Sequence, residues 1–158
     1  MKWQQKHSTV ILEAITLLLI ILFTYAGLTK LMEGHLFYDN IRNSPVLGGK
    51  TMASLAAWII PLSELTVAML LVRSRTRLRG FYGALGLMLL FTGYTVAIVF
   101  FAPYKPCSCG GIISLLSWEQ HLVLNMGLLL LALLAIWSSP SIKLMGQDPS
   151  RTMEPKKN

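Results

Sequence analysis

The sequence predicts an all-α integral membrane protein, an antiparallel bundle of four transmembrane helices. Three observations lead there. Hydrophobic residues make up 54% of the chain and charged residues only 13%, against roughly 25% charged in soluble domains. The apolar residues gather in four runs, each close to the ~20 residues that cross the hydrocarbon core as a helix. Between the runs lie short segments with proline and glycine turn signals and half of the lysines and arginines. At 158 residues the chain makes one domain. We assign residues 1–140 to the bundle and 141–158 to a flexible, polar cytoplasmic tail. In a soluble protein a net charge of +7 would point to nucleic acid. Cationic loops on one side of a membrane give the same total, so the expected partner is lipid and not nucleic acid.

The first helix is expected over about residues 8–32. It follows Met1-Lys2-Trp3-Gln4-Gln5-Lys6, a start that a signal peptide could share. The apolar run is longer than a signal core and contains Glu13, so a retained helix is the better reading. Glu13, Thr16, Thr24 and Gly27 share one face, which should meet other helices. Residues 34–50 read as a loop with turn signals at Asn43-Ser44-Pro45 and Gly48-Gly49, and a short interfacial helix over Leu36 to Ile41.

The second helix is expected over about 53–72. Ala53, Ala57, Pro61, Glu64 and Ala68 form a narrow seam of small residues along it, carrying a single acid. Pro61 removes a backbone donor and frees the Ala57 carbonyl. A charged carboxylate near the bilayer midplane costs roughly 2.5–3.5 kcal/mol, so Glu64 should be protonated or paired inside the bundle. Tyr25, Thr24, Thr92, Tyr94 and Thr95 are candidate partners. Two readings stay open for this acid: a proton relay or polar contact to a quinone-like ligand, and a helix–helix hydrogen bond.

Arg73-Ser74-Arg75-Thr76-Arg77-Leu78-Arg79 packs four arginines into seven residues. The third helix follows over about 80–102, with Gly83, Gly86 and Gly93 placed for close helix approach. The fourth is expected over about 119–138. With four spans, the termini and the arginine loop share a side. That side holds Lys2, Lys6, the four loop arginines, Lys143, Arg151, Lys156 and Lys157, whereas Lys30, Arg42, Lys50 and Lys105 lie on the other. The positive-inside rule makes the first side cytoplasmic. In a bacterium this gives an inner-membrane protein with both termini inside.

The segment between the last two helices, Tyr104-Lys105-Pro106-Cys107-Ser108-Cys109-Gly110-Gly111, then faces the oxidising periplasm. It holds both cysteines of the chain. A disulfide between Cys107 and Cys109 would close a very small ring, away from relaxed geometry. Strained, exposed disulfides are the labile or catalytic ones. Redox exchange, a static structural bond and metal ligation all remain open for the pair. Metal is the least supported, because His121 is the one further ligand close in sequence. His121 and Asn125, four residues apart, share a helix face below the loop. They could support a thiolate or bond to neighbouring helices. Trp118 reads as an interfacial anchor.

These residues also carry a resemblance. Tyr25-Ala26-Gly27-Leu28-Thr29-Lys30-Leu31 and Pro61-Leu62-Ser63-Glu64-Leu65 resemble the helix motifs of DoxX-like membrane proteins. Pro106-Cys107-Ser108-Cys109-Gly110-Gly111, with Trp118, His121 and Asn125 downstream, is similar to the MauE branch, the methylamine-utilisation accessory proteins. The resemblance covers about residues 8–137. It implies a four-helix inner-membrane protein that supports maturation of a disulfide-rich periplasmic partner, with links to thiol redox and quinol oxidation. On that basis Cys107 and Cys109 are the candidate redox pair, Glu64 the buried acid, and His121, Asn125 and Trp118 supporting residues. A thioredoxin-like protein or a disulfide-containing client is the expected partner, and quinone the candidate acceptor. A rival reading is a non-catalytic assembly subunit whose disulfide stiffens a loop. A third is a small transporter or lipid-site protein built on Glu64.

Overall fold

The structure, a computed structural model, describes residues 2–103 and 117–139, with side chains from Thr9 onward. Among the described residues five helices form, in the order α1 (Lys2–Met32), α2 (Gly34–Arg42), α3 (Lys50–Val72), α4 (Arg77–Phe101) and α5 (Trp118–Ser138). Four of them, Thr9–Met32 within α1 together with α3, α4 and α5, are long and apolar enough to cross a membrane. The protein is an all-α membrane bundle. Large apolar side chains such as Leu17, Trp58, Leu89 and Leu130 point outward, as expected where lipid tails replace water.

α1 packs chiefly on α3, and α5 on α4. The α3–α4 seam joins these pairs, while α1 and α5 touch lightly. The shared core is built from Leu12, Leu19 and Phe23 of α1, Val67 and Leu71 of α3, Phe81 and Met88 of α4, and Leu128 of α5. Of the small-residue seam of α3, Ala53, Pro61, Glu64 and Ala68 are buried and Ala57 is half-buried. Gly27 lets α1 approach it: a Cβ there would lie 3.0 Å from the Leu65 Cγ and 3.2 Å from the Pro61 carbonyl oxygen.

Two expectations about helix faces need correcting. Gly83 does meet α3, since a Cβ would fall 2.8 Å from Val67 Cγ2, but Gly86 and Gly93 face open space. The close approach is made instead by Gly80 and Gly83. Periodicity over one long apolar run could not decide which glycines faced protein and which faced lipid. On α1, Thr16 and Gly27 are buried, whereas the Glu13 side chain is 56% exposed and pairs with Arg77 at 2.6 Å. Glu13 lies where α1 leaves the core, close to the arginine turn.

The segment after α1 is more ordered than a plain loop. α2 buries Phe37 and Ile41 against Ala53, Ala56, Ala57 and Ile60 of α3. The Ser44 hydroxyl then accepts from the Val46 and Leu47 amides. Gly49 takes φ of 128°, open to glycine at little cost, and its amide donates to the Arg42 carbonyl. This turn aims the chain into α3.

Candidate functional site

α5 begins at a reciprocal cap. The Gln120 amide donates to the Ser117 hydroxyl and the Ser117 amide to Gln120 Oε1, at 3.3 and 2.9 Å. Serine followed three residues later by glutamine is a legible helix-start signal, and it places the start at Trp118. Trp118, His121 and Asn125 consequently sit in the first turns of α5. Trp118 stacks edge-on to Tyr94 of α4, with centroids 6.3 Å apart, and lies 6.1 Å from the His121 ring. It is half-buried in this ring cluster. Asn125 donates to Thr95 Oγ1 at 3.3 Å, tying α5 to α4. The Tyr94 hydroxyl donates to Ser44 Oγ at 3.0 Å, linking α4 to the turn after α2.

Glu64 is 1% exposed in the interior of α3. Its partner is none of the hydroxyls proposed above. Lys30 Nζ donates to Glu64 Oε1 at 2.7 Å. A carboxylate this deep is supportable when a cation meets it directly. Lys30 lies in the last turn of α1, and its stem lets the ammonium reach inward from the helix end. The same ammonium sits 5.4 Å from the Phe91 centroid and 5.8 Å from that of Phe37, over ring faces that attract cations. Lys30 is therefore a structural counter-ion and not a free loop charge. The second carboxylate oxygen, Oε2, is buried and has no hydrogen-bond partner among the described residues.

This ion pair forms part of the wall of a cavity of about 160 Å³ bounded by all five helices. Phe23, Phe37, Met88 and Phe91 supply apolar surface, and Tyr94, Thr95, Trp118, His121 and Asn125 supply polar groups. Leu90 and Leu124, both exposed on the bundle's outer face, also line it, so the cavity communicates with the lipid side. The structure thus gathers Glu64, Trp118, His121 and Asn125 from two helices around one space. Cys107 and Cys109 lie outside the described residues, between Pro103 at the exit of α4 and Ser117 at the start of α5.

The profile of the methylamine utilisation protein MauE matches residues 8–138, all four spanning helices. The chain belongs to the MauE family. No curated protein and no solved structure matches it. Membership agrees with the four-helix membrane fold, and the family's name connects this MauE protein to methylamine utilisation.

Sequence reasoning missed Lys30 as the counter-ion and Thr95 as the partner of Asn125. A signal for the first existed. A buried acid demands a cation, and a lysine in the last turn of a neighbouring span is the side chain long enough to supply it. Nothing comparable singled out Thr95 from the other hydroxyls of α4.

Proposed function

We propose that this MauE-family protein supports thiol–disulfide redox of a partner on the periplasmic face of the inner membrane, using Cys107 and Cys109. A reduced partner dithiol attacks the Cys107–Cys109 disulfide, forms a mixed disulfide and resolves it, leaving the partner oxidised and both cysteines as thiols. Two electrons and two protons then leave the cysteine pair for a membrane quinone, which becomes quinol. The quinone supplies an oxidant that is soluble in the bilayer. In this scheme His121 takes up thiol protons, Trp118 and Asn125 hold the start of α5, and Glu64 is the buried polar contact. The termini and arginine turn lie in the cytoplasm.

The observation that supports this reading best is the convergence of Trp118 and His121, which closely follow the cysteine segment, with Glu64 on one lipid-communicating cavity. The test is to replace each cysteine by serine in cells and follow the disulfide state of periplasmic client proteins. The reading requires clients to accumulate reduced thiols in both variants. Unchanged client disulfides, together with a Cys107–Cys109 potential below about −300 mV, would leave a structural loop bond and an assembly role in its place.

A further inference from the structure

We propose that the arginine turn between α3 and α4 binds the headgroup of an anionic phospholipid. α3 ends at Val72 and α4 begins at Arg77, so the turn stands at the end of two spans, at the depth of the headgroups. It is tightly built. The Thr76 hydroxyl donates to the Leu70 and Arg73 carbonyls at 2.9 and 3.2 Å, and the Thr76 amide donates to the Arg73 carbonyl at 3.0 Å. This closure fixes the backbone that carries Arg73 and Arg75, and Arg79 follows in the first turn of α4.

The charge there is unmatched. Arg77 is met by Glu13 at 2.6 Å, whereas Arg73, Arg75 and Arg79 are exposed and form no ion pair among the described residues. Insertion topology alone does not ask for arginine, because the positive-inside rule counts lysine equally. The terminal segments use mostly lysine, at Lys2, Lys6, Lys143, Lys156 and Lys157 against Arg151, but every cation of the turn is an arginine. The guanidinium fork grips two phosphate oxygens at once, which an ammonium does not. A zwitterionic lipid brings its own cation to that phosphate, while an anionic one leaves it to the protein. Beside the arginines, Met69, Val72 and Tyr82 are exposed and offer apolar surface to acyl chains. That surface selects a lipid over a free anion.

Neither the cysteines nor the cavity takes part, so the test stands apart from the thiol reading. The full chain in a neutral detergent is given equimolar phosphatidylglycerol and phosphatidylcholine, and retained lipid is counted by native mass spectrometry. Phosphatidylglycerol should be preferred. Each of Arg73→Gln, Arg75→Gln and Arg79→Gln should cut the preference by about fivefold, and the three together should abolish it. Arg73→Lys/Arg75→Lys/Arg79→Lys keeps the charge, and with it insertion, yet should lose about threefold or more with the fork. Arg42→Gln/Lys50→Gln, at exposed positions of the other end, should bind as the parent does. Equal retention of both lipids overturns the proposal, as does a triple glutamine variant with the parent's preference. A triple lysine variant that binds like the parent overturns it too, and leaves a charge that serves topology alone. So does loss of the retained lipid to competing inorganic phosphate, which would make a free anion the ligand.

Discussion

The two ends of the bundle are built differently. At the arginine-turn end, α3 and α4 are in close contact: a Cβ on Gly80 would lie 2.9 Å from the Leu71 amide nitrogen as well as from its side chain. The ion pair there, Glu13 with Arg77, sits at the surface, with Glu13 56% exposed. Toward the other end the helices part around a cavity, and the ion pair, Lys30 with Glu64, is turned inward, with Glu64 1% exposed. The pairs have nearly equal lengths, 2.6 and 2.7 Å. Distance alone would rank them alike, but burial separates them. A surface pair is screened and contributes about 0–1 kcal/mol, whereas a buried charge that loses its partner has nowhere to go.

The largest effect should come from splitting the buried pair. Lys30→Met leaves the Glu64 carboxylate uncompensated in the interior, and we expect a loss of about 3–5 kcal/mol by denaturation in detergent. Glu64→Gln should cost less, because Lys30 is 18% exposed and its stem can swing toward the interface. The Lys30→Met/Glu64→Leu double variant should recover much of the loss; a purely additive cycle would show that the pair carries no coupling.

Next comes the tight end. Gly80→Ala pushes a methyl against the Leu71 backbone and should destabilise by about 1–3 kcal/mol. Gly86→Ala, which meets nothing within 4 Å, should be neutral or gain up to about 1 kcal/mol of helix propensity. If both substitutions behave alike in thermal unfolding, the contrast in packing is wrong.

Asn125→Ala removes the hydrogen bond to Thr95. Interhelical hydrogen bonds in membranes average about 0.6 kcal/mol, so the change in melting should be small. The resulting loosening should appear first as faster hydrogen exchange at the start of α5. Glu13→Gln should have the least effect, about 0.5 kcal/mol or less and fading with added salt. A salt-independent loss larger than that of Lys30→Met would invert the comparison between the ends.

How much of this was legible beforehand follows from what each feature depends on. The spans, the buried face of α3 and the placement of Glu64 on it follow from composition and periodicity, because a helix in lipid satisfies its own backbone wherever twenty apolar residues run together. His121 and Asn125 shared a face for the same local reason. The Ser117–Gln120 cap was also present in the residues. Gly86 and Gly93 could not be told from Gly80 and Gly83, since lipid and protein interior are equally apolar and leave no polarity pattern to separate them.

The sequence by itself determined that this is a four-span membrane protein of the MauE kind, with an acid held deep in its second span. Only the tertiary structure decided what meets that acid. Lys30 and Glu64 are 34 residues apart, and which cation reaches a buried carboxylate depends on how α1 packs on α3. The cavity is decided at the same level, because an empty space belongs to no single helix and exists only where five of them fail to close.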